Sequence, residues 1–134
     1  VSLETPQLQI DALLPADPVR ALQMTDQAVG QLEQGKARAT LRHMARAWEQ
    51  GQLDELSNYE AWCDCADDVD DRAMLRRLND ERNPQLAERI AALHGQGKAV
   101  FAAVGALHMT GPQALPKLMA GLGFSVERID FAPP

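Results

Sequence analysis

The chain has few aromatic residues, only two cysteines and no long apolar run, and each shortage excludes a class of protein. Aromatic residues make up 4% of the 134 residues, so the core must consist of Leu, Ala, Val and Met. The cysteines, Cys63 and Cys65, are too few for a zinc ribbon with two thiol pairs. With 46% hydrophobic residues, a chain of this length can bury a core without a metal or a disulfide framework.

The charge balance and the short apolar runs exclude two kinds of partner. The net charge is −6, and the basic residues are interleaved with acidic ones, as in "DRAMLRRLNDER", which argues against a nucleic-acid partner. The longest apolar stretch, around Ala99–Leu107, is far shorter than the ~20 residues of a membrane-spanning helix. The chain opens with "VSLETP" and no signal-like segment, so we expect it to be a piece of a larger protein.

The two cysteines flank Asp64 in "WCDCAD". A bond between them would close a very tight ring, in which the usual Cα–Cα separation is hard to reach. We therefore predict two small, half-buried side chains. A link from one of them to a cysteine outside this chain is the alternative.

Helix-start and helix-stop signals predict a largely helical first two thirds. Thr5–Pro6, Asp17–Pro18 and Asn83–Pro84 each combine a capping side chain with a proline at the first helical position. The acidic run "CADDVDD" is interpreted as a solvated loop, with a hard-cation site as the alternative. The predicted helices are residues 18–34, a helix through Leu41, Met44, Ala45 and Trp48, Leu53–Trp62, Asp70–Leu78, and one from Asn83 through Leu86, Ile90 and Leu93.

The last third has a different pattern, which decides the predicted fold class. "KAVFAAVGA" is typical of a strand covered on both faces, "GPQALPKLMAGLG" of a helix and "FSVERID" of a final strand, with "SLE" as a short early strand. The prediction is an α/β fold with a small parallel sheet, a large inserted helical block and a C-terminal β-α-β unit. Its parts are residues 1–17 (strand and first helix), 18–80 (helical block) and 81–134 (helix plus β-α-β unit).

Two ionisable residues follow predicted strands. His108 comes just after the strand of residues 99–104, and Glu4 ends the early strand, so a parallel sheet would place both at one crevice. Such a pair can bind a divalent metal or act in acid–base chemistry. Gly105 permits close approach of a ligand, and Gly111 with Pro112 starts a helix whose amides favour an anion. The alternative is a structural His108, hydrogen-bonded to the backbone; His43 and His94 are interpreted as helix-surface residues.

"VGALHMTG" followed by "LPKLMAGLGFSVERI" resembles the C-terminal signature of the TraB/GumN family, which includes the TIKI proteases and is related to the ChaN and erythromycin-esterase group. The residues that match are Gly105, His108, Gly123, Phe124 and Val126. "NDERNPQLAERI" is similar to the family's Arg-Asn helix start, at Arg82 and Asn83. "SLETPQLQIDAL" resembles its Glu-Thr segment, at Glu4 and Thr5, and "AWEQGQLDEL" a recurring helix-turn stretch.

The resemblance implies a metal-dependent hydrolase that is peptidase-like, with Mn, Co or Zn as the divalent ion. By analogy, His108 and Glu4 would hold the metal and take part in catalysis, and Arg82 would orient a carboxylate or a substrate oxygen. Asn83 binds substrate or only caps its helix, and Gly105 and Gly111 are substrate-binding or structural. The family likeness also implies the bacterial cell envelope or periplasm.

One departure from the family pattern bears on activity. The family has two Gly-x-x-His motifs, and this sequence contains one, so we predict that the chain alone is inactive. The expected partners are the missing N-terminal half of the same protein or another copy, together with a peptide or small-molecule substrate. The alternatives are a non-catalytic protein that binds haem or a similar ligand through His108, and a protein-interaction module formed by the helices of residues 18–78.

Overall fold

The computed structural model describes residues 1–66 and 68–130. The helices are α1 (Pro6–Leu13), α2 (Pro18–Glu33), α3 (Lys36–Glu49), α4 (Leu53–Ser57), α5 (Val69–Leu78), α6 (Asn83–Gly95) and α7 (Leu115–Gly121), with 3₁₀ turns at Tyr59–Ala61 and Ala106–Met109. Helix α6 packs against α7, α2 against α3, α3 against α4, and α1 against α5. No helix in the described ranges is both long enough and apolar enough to cross a bilayer.

Side-chain caps account for where the first helices and α5 begin. The Thr5 hydroxyl accepts a hydrogen bond from the Leu8 amide at 3.3 Å, and Asp17 accepts one from Val19 at 3.1 Å, as the sequence predicts. In the acidic run, Asp68 accepts hydrogen bonds from two backbone amides of α5, each at 2.8 Å. The described part of that run therefore includes a helix cap as well as a loop, while Asp67 lies outside the described residues.

The predicted α/β fold is wrong. Residues 1–66 and 68–130 form helices, turns and loops but no β-strand, so neither the parallel sheet nor the C-terminal β-α-β unit is present there. The predicted strand of residues 99–104 is also not covered on both faces, because the Phe101 side chain is 93% exposed. The predicted last strand, residues 124–130, is mostly exposed, and Arg128 ties it to the Gly51 carbonyl at 2.8 Å.

The error has a physical cause. Along residues 99–105 exposed and half-buried positions alternate, which is the two-residue period of an extended chain. A sheet also requires a neighbouring strand at about 4.8 Å to satisfy the backbone amides. Among the described residues, none makes a hydrogen bond to the main chain of residues 98–104. The apolar pattern predicts the extended conformation, but it carries no information on a partner strand.

The hydrophobic core lies where α6 meets α7. Its most buried residues are Leu86 and Ala87 of α6 and Leu115 of α7, exposed by 2%, 1% and 3%. Leu3 and Val104 pack against this cluster from two distant parts of the chain. The core therefore brings the segment before α1, which carries Glu4, next to the segment that leads into the Ala106–Met109 turn, which carries His108.

The predicted inward face of α3 is rotated. Leu41 and Trp48 are 64% and 65% exposed, whereas Ala47 is fully buried. Small residues face the neighbouring helices because α3 packs closely against both α2 and α4. Leu41 and Trp48 therefore point outward, whereas Met44 of the same helix is half-buried.

The prediction for the cysteines is also wrong, because Cys63 and Cys65 form a disulfide. Their Cα atoms lie 5.1 Å apart, within the usual range for a disulfide. Asp64 between them has φ of 55°, a left-handed conformation that turns the chain back on itself. Lys36 pairs with the Asp64 carboxylate at 2.9 Å.

Candidate functional site

Glu4 and Arg82 form a two-pronged ion pair. Arg82 donates from Nε to Glu4 Oε1 at 2.7 Å and from Nη2 to Glu4 Oε2, and its Nη1 donates to the Leu78 carbonyl at 2.9 Å. The Glu4 side chain is only 9% exposed and that of Arg82 24%. Leu3, which packs against the core cluster, anchors the segment that carries Glu4, and Arg82 lies in the turn after α5. Two parallel hydrogen bonds between a planar guanidinium and a carboxylate fix the orientation of both side chains.

His108 lies in the 3₁₀ turn Ala106–Met109, with one ring nitrogen hydrogen-bonded to Asn83. The distance from His108 Nδ1 to Asn83 Oδ1 is 2.6 Å. Asn83 Nδ2 donates to the carbonyls of Gln113 at 2.7 Å and of His108 at 3.2 Å. Because two carbonyls face Nδ2, that atom must be the amide nitrogen, and Oδ1 must face the imidazole.

This network determines the tautomer of His108. Since Asn83 Oδ1 can only accept a hydrogen bond, His108 Nδ1 carries the proton. The Nε2 atom of a neutral imidazole then has a free lone pair. The arrangement supplies an unprotonated nitrogen that can act as a base, a nucleophile or a metal ligand.

Asn83 therefore has a role different from the predicted helix cap. It lies at the first residue of α6, which has no side-chain cap hydrogen bond, and it is fully buried. Its amide connects α6 to the His108 turn and to the segment before α7. Because the Asn83 side chain is enclosed, it presents no open surface to which a substrate could bind.

Sequence reasoning missed two residues that hold the turn in place. Asn79 donates to the Leu107 carbonyl at 2.9 Å, and the Thr110 hydroxyl donates to the same oxygen at 2.8 Å. Both residues are buried, with exposures of 8% and 4%. The one signal in the sequence is their position: Asn79 lies four residues before Asn83, and Thr110 lies two residues after His108.

The two predicted glycines differ in their conformational demands. Gly105 has φ of −62°, which any residue adopts, and a Cβ there would lie 3.7 Å from the His108 ring. Gly111 has φ of +82°, and a Cβ there would come within 3.0 Å of Asp80 Oδ1. The expected helix start at Gly111 is wrong, because α7 begins at Leu115. Gly111 thus serves a tight turn, and no helix amides lie there for an anion.

Burial, assisted by the charge of Arg82, keeps His108 neutral. Burial lowers its pKa below 6.5, and the positive charge of Arg82 lowers it further, with Glu4 opposing in part. Hydrogen bonding from Arg82 lowers the pKa of Glu4, and Glu4 in turn raises that of Arg82. Near pH 7 the cleft therefore contains a neutral imidazole beside a carboxylate–guanidinium pair.

Glu4, Arg82 and His108 line one open cleft of about 640 Å³. The segments of residues 1–4 and 98–105 form much of its wall, with Leu86 of α6 among the lining residues. The structure thus brings together the three residues that the resemblance singled out, while their catalytic and metal-binding roles stay predictions. His43 and His94 lie elsewhere: His43 stacks on Trp62 at 4.0 Å, and His94 meets Phe124 edge-on at 5.2 Å.

The donor set does not by itself fit a hydrolytic metal. The described residues contain no group of three or more His, Cys, Asp and Glu side chains placed to hold an ion. Both Glu4 oxygens already accept hydrogen bonds from Arg82. Hydrolytic zinc sites use three protein ligands and a water molecule. Among the described residues, His108 Nε2 therefore provides one ligand atom for a metal ion where three are needed.

The comparisons with known proteins identify the family. The family model of the TraB/PrgY/gumN family matches residues 1–128. The chain belongs to the TraB/PrgY/gumN family. The match includes Glu4, Arg82, Asn83 and His108, so the cleft lies within the family domain and the resemblance expected from the sequence is confirmed. The comparisons found no match among curated proteins and none among solved structures.

The pH dependence of the His108 region follows from this site of the TraB/PrgY/gumN domain. Because the folded pKa lies below the unfolded value of 6.5, the unfolded chain binds the proton more readily. The stability that the neutral His108 ring contributes should therefore be fully present above pH 6.5 and be lost as the pH falls through the folded pKa. We expect NMR titration of the His108 ring to give a pKa below 6.5. In urea unfolding at a series of pH values, His108→Gln should lose the part of the pH dependence of the unfolding free energy that comes from this ring. A ring that titrates above 6.5 would contradict the neutral assignment.

Proposed function

We propose that the chain supplies the His108 half of a metal-dependent hydrolytic site, which ligands from another segment complete. The observation that carries this proposal is the hydrogen bond from His108 Nδ1 to Asn83, which leaves Nε2 unprotonated in the cleft. Membership of the TraB/PrgY/gumN family supports it. The divalent ion in this proposal is Mn, Co or Zn, and the substrate is peptide-like.

The chain's own residues would then have separate tasks. Asn83 keeps the proton on Nδ1 and holds the ring in one orientation, so Nε2 stays available. The Glu4–Arg82 pair adds no net charge to the cleft, and three of the five guanidinium N–H groups are engaged at Glu4 and Leu78. The other two N–H groups can donate to a substrate carbonyl or carboxylate.

A second source of ligands is part of the proposal. One imidazole nitrogen binds a divalent ion weakly, and Glu4 is held by Arg82. The remaining ligands would come from the upstream half of the same protein or from another copy of the chain. This agrees with the presence of one Gly-x-x-His motif, at Gly105–His108, where the family resemblance implies two.

The chain alone should therefore show no peptide hydrolysis. We expect no turnover of unstructured peptides in the presence of Mn(II), Co(II) or Zn(II), because a single nitrogen donor cannot hold a catalytic ion. The measurement is peptide cleavage followed by mass spectrometry, with His108→Ala as the matched variant. Clear turnover that His108→Ala abolishes would show that this chain holds a complete site.

A metal titration tests the ligand role directly. We expect Co(II) at millimolar concentration to perturb the NMR signals of the His108 ring and of the backbone amides around it, and the perturbation of those amides to be absent in His108→Ala. His94→Ala is the control, since His94 is exposed and packs on Phe124 away from the cleft. A Co(II) response that is identical in His108→Ala and in the unchanged chain would refute the metal-ligand role.

A second candidate function is binding of haem or a similar ligand without catalysis. The specific observation in its favour is the single neutral nitrogen in an open cleft, since haem iron needs one axial imidazole, unlike a hydrolytic zinc. On this alternative, a haem titration gives a Soret shift that His108→Ala removes. The hydrolase proposal predicts no such His108-dependent shift.

A further inference from the structure

Helix α3 is basic in a chain whose overall charge is negative. The chain has a net charge of −6, whereas the 14 residues of α3 contain one acidic residue, Glu49, and four basic ones: Lys36, Arg38, Arg42 and Arg46. The three arginines are four residues apart, so they lie along one side of the helix, where like charges repel one another. Because these side chains are exposed, the packing of α3 does not account for the repulsion.

Two of these arginines line an open pocket in the second half of α3. The pocket has a volume of about 590 Å³, a size typical of small-molecule sites. Among the described residues, Arg42 and Arg46 make no hydrogen bond and no ion pair, whereas Arg82 and Arg128 each pair with a carboxylate. In the described part of the chain, no acidic residue lines the pocket, whose wall consists of Ala39, Arg42, His43, Arg46, Gln50 and Gln52. Two positive charges therefore share one pocket without a counter-charge.

The other polar groups of this pocket are held in place. His43 donates from Nε2 to Glu55 at 2.7 Å, and its ring stacks on Trp62 with 4.0 Å between the ring centroids. The Glu55 carboxylate is thus engaged by His43, and it does not line the pocket. Between α3 and α4, Gln52 Nε2 donates to Gln50 Oε1 at 2.9 Å. Because a side-chain amide has two N–H groups, each glutamine keeps at least one donor for a ligand.

We propose that this pocket binds a phosphate dianion, either inorganic phosphate or the terminal group of a small phosphomonoester. Each guanidinium can donate two parallel N–H groups to phosphate oxygens, and a tetrahedral phosphate has enough oxygens for both arginines. Charge favours phosphate over a carboxylate, because a phosphomonoester carries about −1.5 to −2 at pH 7 and so matches two arginines. The pocket shares no lining residue with the cleft of His108, so the proposal is separate from the hydrolytic function.

An anionic bilayer matches these residues less well. Leu41 and Trp48 of α3 are exposed by 64% and 65% and could contact lipid. A flat bilayer would meet the whole row of arginines, including Arg38, whereas the pocket contains only Arg42 and Arg46. The role of Arg38 therefore separates binding in the pocket from general attraction to the basic helix.

Calorimetry with three small anions tests the proposal. The probes are phenyl phosphate, inorganic phosphate and phenyl sulfate, which has the shape of phenyl phosphate but a single negative charge. We expect phenyl phosphate to bind with a Kd at or below about 1 mM, and at least about tenfold more tightly than phenyl sulfate, because the second charge strengthens the hydrogen bonds from both arginines. The tighter of the two phosphate probes identifies the source of the dianion.

Three variants with the same loss of charge locate the site. Arg42→Gln and Arg46→Gln should each weaken the binding of phenyl phosphate at least about tenfold. Arg38→Gln is the matched control, because it removes an exposed arginine of the same helix outside the pocket; we expect a change below about twofold. All three side chains are exposed, so the variants should fold as the unchanged chain does.

Four results would overturn the proposal. They are no binding of either phosphate probe at about 10 mM, equal binding of phenyl phosphate and phenyl sulfate, an equal loss in all three variants, and unchanged binding in both pocket variants. Co-sedimentation with vesicles of equal parts phosphatidylglycerol and phosphatidylcholine tests the bilayer. We expect none; sedimentation that Arg38→Gln reduces as much as Arg42→Gln would assign the basic helix to a membrane surface instead of the pocket to a phosphate.

Discussion

Replacing Asn83 with alanine should destabilise the chain by about 3 kcal/mol. The fully buried amide makes three hydrogen bonds, to the His108 ring, the His108 carbonyl and the Gln113 carbonyl. The substitution leaves all three partners unpaired near the core and opens a cavity, which are the mechanisms behind large effects of single substitutions. Urea unfolding at pH 7 measures the change.

Two further variants separate the roles of Asn83. Asn83→Asp keeps an acceptor for His108 Nδ1 but loses both donors, and its negative charge should raise the pKa of His108. Asn58→Ala is the control, because the exposed side chain of Asn58 makes one hydrogen bond, to the Asp54 carbonyl at 3.0 Å; we expect a loss of stability below about 1 kcal/mol. If Asn83→Ala and Asn58→Ala have the same stability, the network around His108 does not hold the turn.

Replacing Arg82 with alanine should cost about 2 kcal/mol near pH 7. The Glu4 carboxylate, 9% exposed, would lose both hydrogen bonds and its counter-charge. Removing one partner of a fully buried pair costs 3–5 kcal/mol as a rough guide, and Arg82 is 24% exposed, so solvent reduces the figure. Arg82→Lys should recover part of the loss, because lysine keeps the charge but lacks the planar fork.

The pH dependence gives this prediction its sharpest check. Because Arg82 lowers the folded pKa of Glu4 below 4.5, the pair contributes stability that is present above pH 4.5 and lost as the pH falls through the folded value. The gap between Arg82→Ala and the unchanged chain should therefore shrink in acid. A gap of constant size between about pH 2 and pH 7 would show that Arg82 stabilises the chain by packing rather than by charge.

The residues of the candidate site could be found from the sequence, but most of their contacts could not. Their positions after predicted strands and the family resemblance both indicate Glu4 and His108, the resemblance alone indicates Arg82, and the structure places all three in one cleft. Their hydrogen-bond partners could not be predicted: Glu4 binds Arg82, 78 residues away, and His108 binds Asn83, 25 residues away. A linear sequence specifies no such distance, since the packing of α6 and α7 brings these residues together.

Local signals in the sequence decided where several helices begin. Thr5 and Asp17 cap helices α1 and α2 as predicted, because a capping side chain acts within three residues of its own position. Asn83 shows the limit of this reasoning. Its Asn-Pro signal correctly marks the start of α6, yet its side chain makes long-range hydrogen bonds instead of capping.

The sequence by itself determined the helix starts at Thr5 and Asp17, the family membership and the two-residue burial period of residues 99–105. Only the tertiary structure decided that no sheet forms among the described residues, that Cys63 bonds Cys65, and that His108 presents a bare Nε2. Periodicity and capping are properties of neighbouring residues. Strand pairing, the disulfide and the tautomer each depend on which atoms meet in three dimensions.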